Sequence, residues 1–137
     1  MSGGPFEHRN PYQGDPPRPW IMLRLAARDG STQEFKLIAD TGNPFAVVLS
    51  RDHLAKLSFG LTSNLDTNFG ILEGTWFLLA MPEFGLNILQ TGYVSSEVVA
   101  STKESHPDFE GLVGLPLLRL LEYGGNASEF WIRRALP

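Results

Sequence analysis

The chain has 137 residues, 42% of them hydrophobic and 19% charged, with a net charge of −4 and a pI near 5.3. That length suits one domain with a substantial core, and the lack of a basic excess argues against a nucleic-acid partner. There is no cysteine, which excludes disulfides, thiolate nucleophiles and zinc–sulfur sites.

Residues 1–18 are rich in proline and glycine, a composition that sustains neither helix nor sheet ladder, so they are expected to form a flexible arm ahead of a domain spanning 19–137. The same N-terminus has no apolar core of the kind a secretory signal carries. The longest apolar run, Trp76 to Met81, is far too short to span a bilayer. The expectation is a cytoplasmic protein with no membrane partner.

Trp20 to Ala27 reads as a strand, with Ile21, Leu23 and Leu25 on one face and Arg24 opposing them. Asp29-Gly30 supplies the positive φ of a tight turn. Thr32 to Ala39 returns as a second strand whose end, Leu37-Ile38-Ala39, is apolar on both faces. Asp40-Thr41-Gly42 follows, then a bend at Asn43-Pro44 and a third strand, Phe45 to Leu49. A carboxylate set between buried strands is costly to ionise, and folding gains nothing obvious from it. Asp40 is therefore the candidate for chemistry.

Ser50 suits the N-cap of a short helix over 51–59, with Leu54 and Leu57 inward and Gly60 as its stop. Leu61 to Gly74 is polar and turn-rich and is read as a hairpin. Thr75 to Met81 is a strand, Leu86 to Val99 holds one or two more, and Ala100 to Asp108 reads as a polar surface loop. Gly111-Leu112-Val113-Gly114 brackets two apolar residues with glycines. Pro116 then opens a Leu-rich helix that Gly124-Gly125 ends, and Glu129 to Arg133 closes the chain as a strand. A buried segment, a glycine motif and a short helix thus occur twice, but only the first copy carries an aspartate.

Asp40-Thr41-Gly42 after an apolar strand, followed in order by Gly111 to Gly114, a Leu-rich helix and Phe130-Trp131-Ile132, resembles the retropepsin-like aspartic proteases, most of all their bacterial branch. The resemblance covers roughly residues 19–133. It implies a mostly β fold, an acid-protease barrel with one lobe per chain and two short helices. It also implies an endopeptidase acting as a homodimer on peptide or protein substrates, without cofactor or metal. Asp40, Thr41 and Gly42 would form the catalytic loop, with one Asp40 from each copy. Asn68, Phe69 and Gly70 would be the tip of the flap over the substrate. The alternative is a non-catalytic dimeric domain of the same fold that binds a peptide or protein partner.

Two places depart from the family pattern. Asn43-Pro44 stands where most members carry Ala, Ser or Thr, and a donor at Asn43 is expected to reach the outer oxygen of Asp40. Leu115-Pro116 replaces an Arg-Asn or Arg-Asp pair, so an interface ion pair made by that arginine must be absent or replaced. Other constellations carry less. Asp66-Thr67-Asn68 imitates the triplet without its glycine or its buried flanks. His8, His53 and His106 lack metal-ligand spacing and are expected at the surface. Ser50, Asp52 and His53 are too close in sequence to face one another as a triad. Trp76, Phe77, Phe130 and Trp131 are read as core or dimer interface.

Overall fold

Alternating side chains and an Asp-Gly turn build the first hairpin of the barrel. The computed structural model, which describes residues 7–68 and 70–135, places β1 at Glu7–Pro11, β2 at Trp20–Ala26 and β3 at Thr32–Asp40. Ile21, Leu23 and Leu25 point inward and join Phe35 and Leu37 in the core. Gly30 closes the turn between β2 and β3 at a φ of 88°, which an L side chain resists.

The chain continues through β4 (Val47–Leu49), α1 (Leu54–Leu57), β5 (Leu65–Thr67), β6 (Gly70–Leu79) and β7 (Leu89–Val94). Then come α2 (Ser96–Ser105), β8 (Gly111–Gly114), α3 (Leu115–Leu118), β9 (Leu121–Gly125) and β10 (Glu129–Arg134). Six strands close a barrel in the order β2-β3-β8-β4-β7-β6, and β6 returns to β2 through Leu25↔Leu79 and Ala26↔Leu78. Closure removes the unpaired edges that an open sheet presents. The fold is mostly β, with three short α-helices among the described residues instead of two. No described helix is long and apolar enough to cross a membrane.

Two helical expectations are corrected. Most of Ala100–Asp108 belongs to α2 and is not a loop. Ser95 caps that helix by accepting from Val98 N at 3.2 Å, and Glu97 and Lys103 sit in its first and last turns, where the helix dipole favours them. Conversely, the Leu-rich run after Pro116 is helical only to Leu118. Glu122 and Tyr123 instead pair with Arg133 and Ile132 in an antiparallel ladder, which satisfies their backbone groups as a helix would have done.

The flexible arm expected over residues 1–18 is also corrected for residues 7–18. Glu7–Pro11 pairs with β10 from Glu7↔Arg133 to Pro11↔Glu129, so β1, β10 and β9 form a second, three-stranded sheet. Glu7 to Asn10 contains no proline, and Pro11 stands at the strand end, where proline is tolerated. The remaining prolines fall in the turn that follows. Gln13 and Arg18 exchange backbone hydrogen bonds of 3.1 and 2.9 Å, and Pro19 O accepts from Ala39 N at 2.9 Å.

The feature that positions the site is β8, inserted between β3 and β4. It runs parallel to β3, from Leu37↔Gly111 to Asp40↔Gly114, and antiparallel to β4 through Val48↔Leu112. Both bracketing glycines are required by close approach. A methyl group on Gly111 would overlap the Val48 carbonyl oxygen, and one on Gly114 would overlap the carbonyls of Asn43 and Phe45. Gly111→Ala and Gly114→Ala are each expected to lower the unfolding free energy by about 1–3 kcal/mol, the usual cost of overpacking. Urea denaturation measures this, and wild-type stability in both variants contradicts the packing account.

Candidate active site

Asp40 ends β3 directly opposite Gly114, the last residue of β8. The chain must then pass around the end of β8 before returning as β4, and Thr41 to Ala46 make that passage. Backbone hydrogen bonds hold the loop: Asn43 N to Asp40 O at 3.0 Å, Gly114 N to Ala46 O at 3.0 Å, and Leu115 N to Asn43 O at 3.2 Å. Asp40 Oδ1 accepts from Gly42 N at 3.0 Å. A Cβ on residue 42 would stand 3.3 Å from that same oxygen, so glycine leaves the carboxylate uncrowded.

Asp40, Thr41 and Gly42 are all exposed in the single chain. This corrects the expectation of a carboxylate enclosed by its neighbours. Leu37, Ile38, Ala39 and Val47 to Leu49 are buried as expected, but the triplet lies at the strand end, clear of them. The Thr41 hydroxyl makes no hydrogen bond to another described residue.

Asn43 does not reach Asp40. Its Oδ1 accepts from Phe45 N at 3.0 Å, a local bond two residues on that asparagine makes readily. Only the amide oxygen can accept that N–H, so the orientation of the amide is set. Nδ2 is buried with no partner. Phe45 beyond it meets the ring of Tyr93 edge-on, with centroids 5.0 Å apart.

Two cavities meet at Asp40. The larger, about 410 Å³, has an apolar wall of Phe45, Val48, Leu72 and Leu112, with Asp40 and Glu97 also lining it. The smaller, about 310 Å³, shares Asp40, Thr102 and Leu112 with the first and adds Thr41, Arg18 and His106. Glu97 and Thr102 come from α2, which packs against both β4 and β8. Sequence reasoning missed them because Val98-Val99 reads as strand. The available signal was Ser95, a cap residue, followed two positions on by Glu97.

The hairpin β5–β6 lies where the flap was expected. Thr67↔Gly70 closes it, leaving Asn68 and Phe69 as the connection. Asn68 is exposed, Gly70 has a φ of 94°, and Phe69 lies outside the described residues. Neither Asn68 nor Gly70 lines a cavity at Asp40. The hairpin reaches the larger one through Leu72, while Leu61, Leu65 and Ile71 are exposed.

Asp66 is exposed on β5 and lines neither cavity. Ser50 Oγ accepts from Asp52 N at 3.4 Å, and the His53 ring stands edge-on to Phe35, so the two do not assemble as nucleophile and base. His106 is buried, not at the surface as expected. Its Nε2 lies 2.7 Å from Pro16 O and its ring stacks on Phe109, because the 13–18 turn covers it. Among the described residues no group of three or more His, Asp or Glu side chains is placed to hold a metal ion. Phe77 and Phe130 are core residues, whereas Trp76 is exposed and Trp131 half-buried.

Comparisons with protein-family models, with curated proteins and with solved structures gave no match.

The exposed Asp40 side chain makes one local bond, which an asparagine oxygen can also accept. Asp40→Asn is therefore expected to change the unfolding free energy by less than about 0.5 kcal/mol. Thermal or urea denaturation checks this, and a clearly larger loss means that Asp40 is part of the folding core.

Proposed function

We propose that the chain is a retropepsin-like aspartic endopeptidase, acting as a homodimer in which each copy supplies one Asp40 to a shared catalytic pair. The observation that carries this reading is the placement of Asp40. It ends β3 opposite Gly114, on an exposed loop that rounds an inserted strand, and it borders a largely apolar cavity.

One carboxylate cannot act as base and acid in the same step. A two-fold axis beside the Thr41-Gly42 loop brings a second Asp40 close to the first. Like charges that near do not both ionise, so the pair holds one proton. The ionised member takes a proton from a water as its oxygen attacks the peptide carbonyl, and the protonated member donates to the carbonyl oxygen. Collapse of that adduct breaks the C–N bond, and the leaving nitrogen takes up a proton. Thr41, exposed and without a side-chain partner among the described residues, bonds across the axis and fixes both loops. The apolar cavity takes a substrate side chain, and Leu72 of the β5–β6 hairpin helps to exclude water above it.

A second reading, a dimeric domain that binds a peptide without cleaving it, is favoured by one observation. The bond from Gly42 N to Asp40 Oδ1 is also the one a loop aspartate makes in any Asx turn.

Cleavage of an unstructured test protein at acidic to neutral pH separates the two. The wild type is expected to cleave, and Asp40→Asn to lower the rate by roughly 10³-fold. Cleavage unchanged in Asp40→Asn removes the Asp40 mechanism. Peptide binding with no cleavage by either protein selects the second reading.

A further inference from the structure

We infer that the smaller cavity at Asp40 is a side-chain pocket for a carboxylate, read by Arg18, so that the favoured substrate carries an acidic residue next to an apolar one. This rests on the endopeptidase reading and adds a substrate class to it. Asp40, Thr102 and Leu112 line both cavities, so an extended peptide laid over Asp40 presents one side chain to each.

Arg18 brings a charge that the fold itself does not use. Arg9, Arg24, Arg51 and Arg133 are each paired with a glutamate, but the exposed Arg18 guanidinium has no side-chain partner among the described residues. Its backbone, by contrast, is held from several directions. Pro17 and Pro19 flank it, its N–H and C=O both bond to Gln13, and Pro19 O accepts from Ala39 N at 2.9 Å. The preceding turn is latched by His106 Nε2, 2.7 Å from Pro16 O. Gln13 in turn bonds Lys36 and also Asp108, the latter at 3.2 Å. A fixed backbone with a free guanidinium needs little ordering when an anion arrives.

The anion it suits is a carboxylate. The guanidinium fork matches a carboxylate in two parallel hydrogen bonds. Asp40 lines the same cavity, and its negative charge penalises a dianion such as a phosphate ester about twice as much as a singly charged carboxylate, which Arg18 offsets. In the larger cavity Glu97 repels an acidic side chain, while the apolar wall attracts an uncharged one. The larger pocket therefore rejects the ligand of the smaller one, which favours one register of the peptide.

Binding of short unstructured peptides to the 137-residue Asp40→Asn chain tests this without cleavage. The probes are three peptides identical except for Leu-Glu, Leu-Gln or Leu-Lys at the central pair, followed by calorimetry at low and high salt. The Glu peptide is expected to bind about fivefold tighter than the Gln peptide, as one accessible Arg–carboxylate pair allows, and the Lys peptide weakest of the three. The preference should shrink with salt. Adding Arg18→Gln should erase the Glu–Gln difference while the melting temperature stays at that of the parent, and Arg18→Glu should turn the preference towards Lys. A Glu preference that survives Arg18→Gln, or no preference at all, overturns the inference. If wild type cleaves through Asp40 without a Glu preference, only this inference falls. If the Arg18-dependent preference holds but wild type cleaves nothing, the endopeptidase reading falls instead and the carboxylate pocket stands.

Discussion

Inserting Gly111 to Gly114 between the two strands on either side of Asp40 is the constraint from which the rest of the site follows. Strands joined by a short connection usually pair with each other. Here a third strand holds them apart, so the chain must leave β3 at Asp40, round the end of β8 and return as β4. Backbone passes so close to backbone at this crossing that neither Gly111 nor Gly114 has room for a Cβ. Alternation along β8 then divides its two apolar residues. Val113 is fully buried in the core, and Leu112 faces the other way as a shared wall of both cavities.

The outer side of this crossing is covered by two elements from distant parts of the sequence. Helix α2 packs on β4 and β8 and carries Glu97 and Thr102 to the cavities. The 13–18 turn packs beside the end of β3 and carries Arg18. The two are tied to each other through His106, which ends α2 and bonds Pro16. Lys36 strengthens the same corner, with its ammonium 4.4 Å from the Trp20 ring centroid and 5.5 Å from that of Phe109. The exposed Asp40-Thr41-Gly42 triplet thus stands on a braced base, and its open face is the one proposed for a second copy and a substrate.

The barrel strands were legible because their signals are local. Ile21, Leu23 and Leu25 alternate, Asp29-Gly30 turns, and Leu37 to Ala39 is apolar throughout. Gly111 and Gly114 announced a close approach without saying to what. The long-range part was hidden. Nothing local shows that Asp40 and Gly114 share a ladder, or that Glu7 to Pro11 finds β10 more than a hundred residues away. α2 was lost because β-branched Val98 and Val99 outweighed the Ser95 cap. Leu121 to Tyr123 continues the Leu-rich run that reads as helix from Leu117, and pairing with β10 decides against it. Arg18 is hidden in a stretch whose proline-rich composition reads as a tail, whereas Pro16 and Pro17 lie in an ordered turn.

A two-fold pair of Asp40 side chains is the central claim, and a crystal structure of the concentrated protein tests it most directly through the distance between the two carboxylates. The account predicts a dimer whose axis passes by Thr41 and Gly42, with the Asp40 oxygens of the two copies in hydrogen-bonding contact. Copies that leave the two carboxylates well apart, or a protein that stays monomeric at high concentration, contradict it.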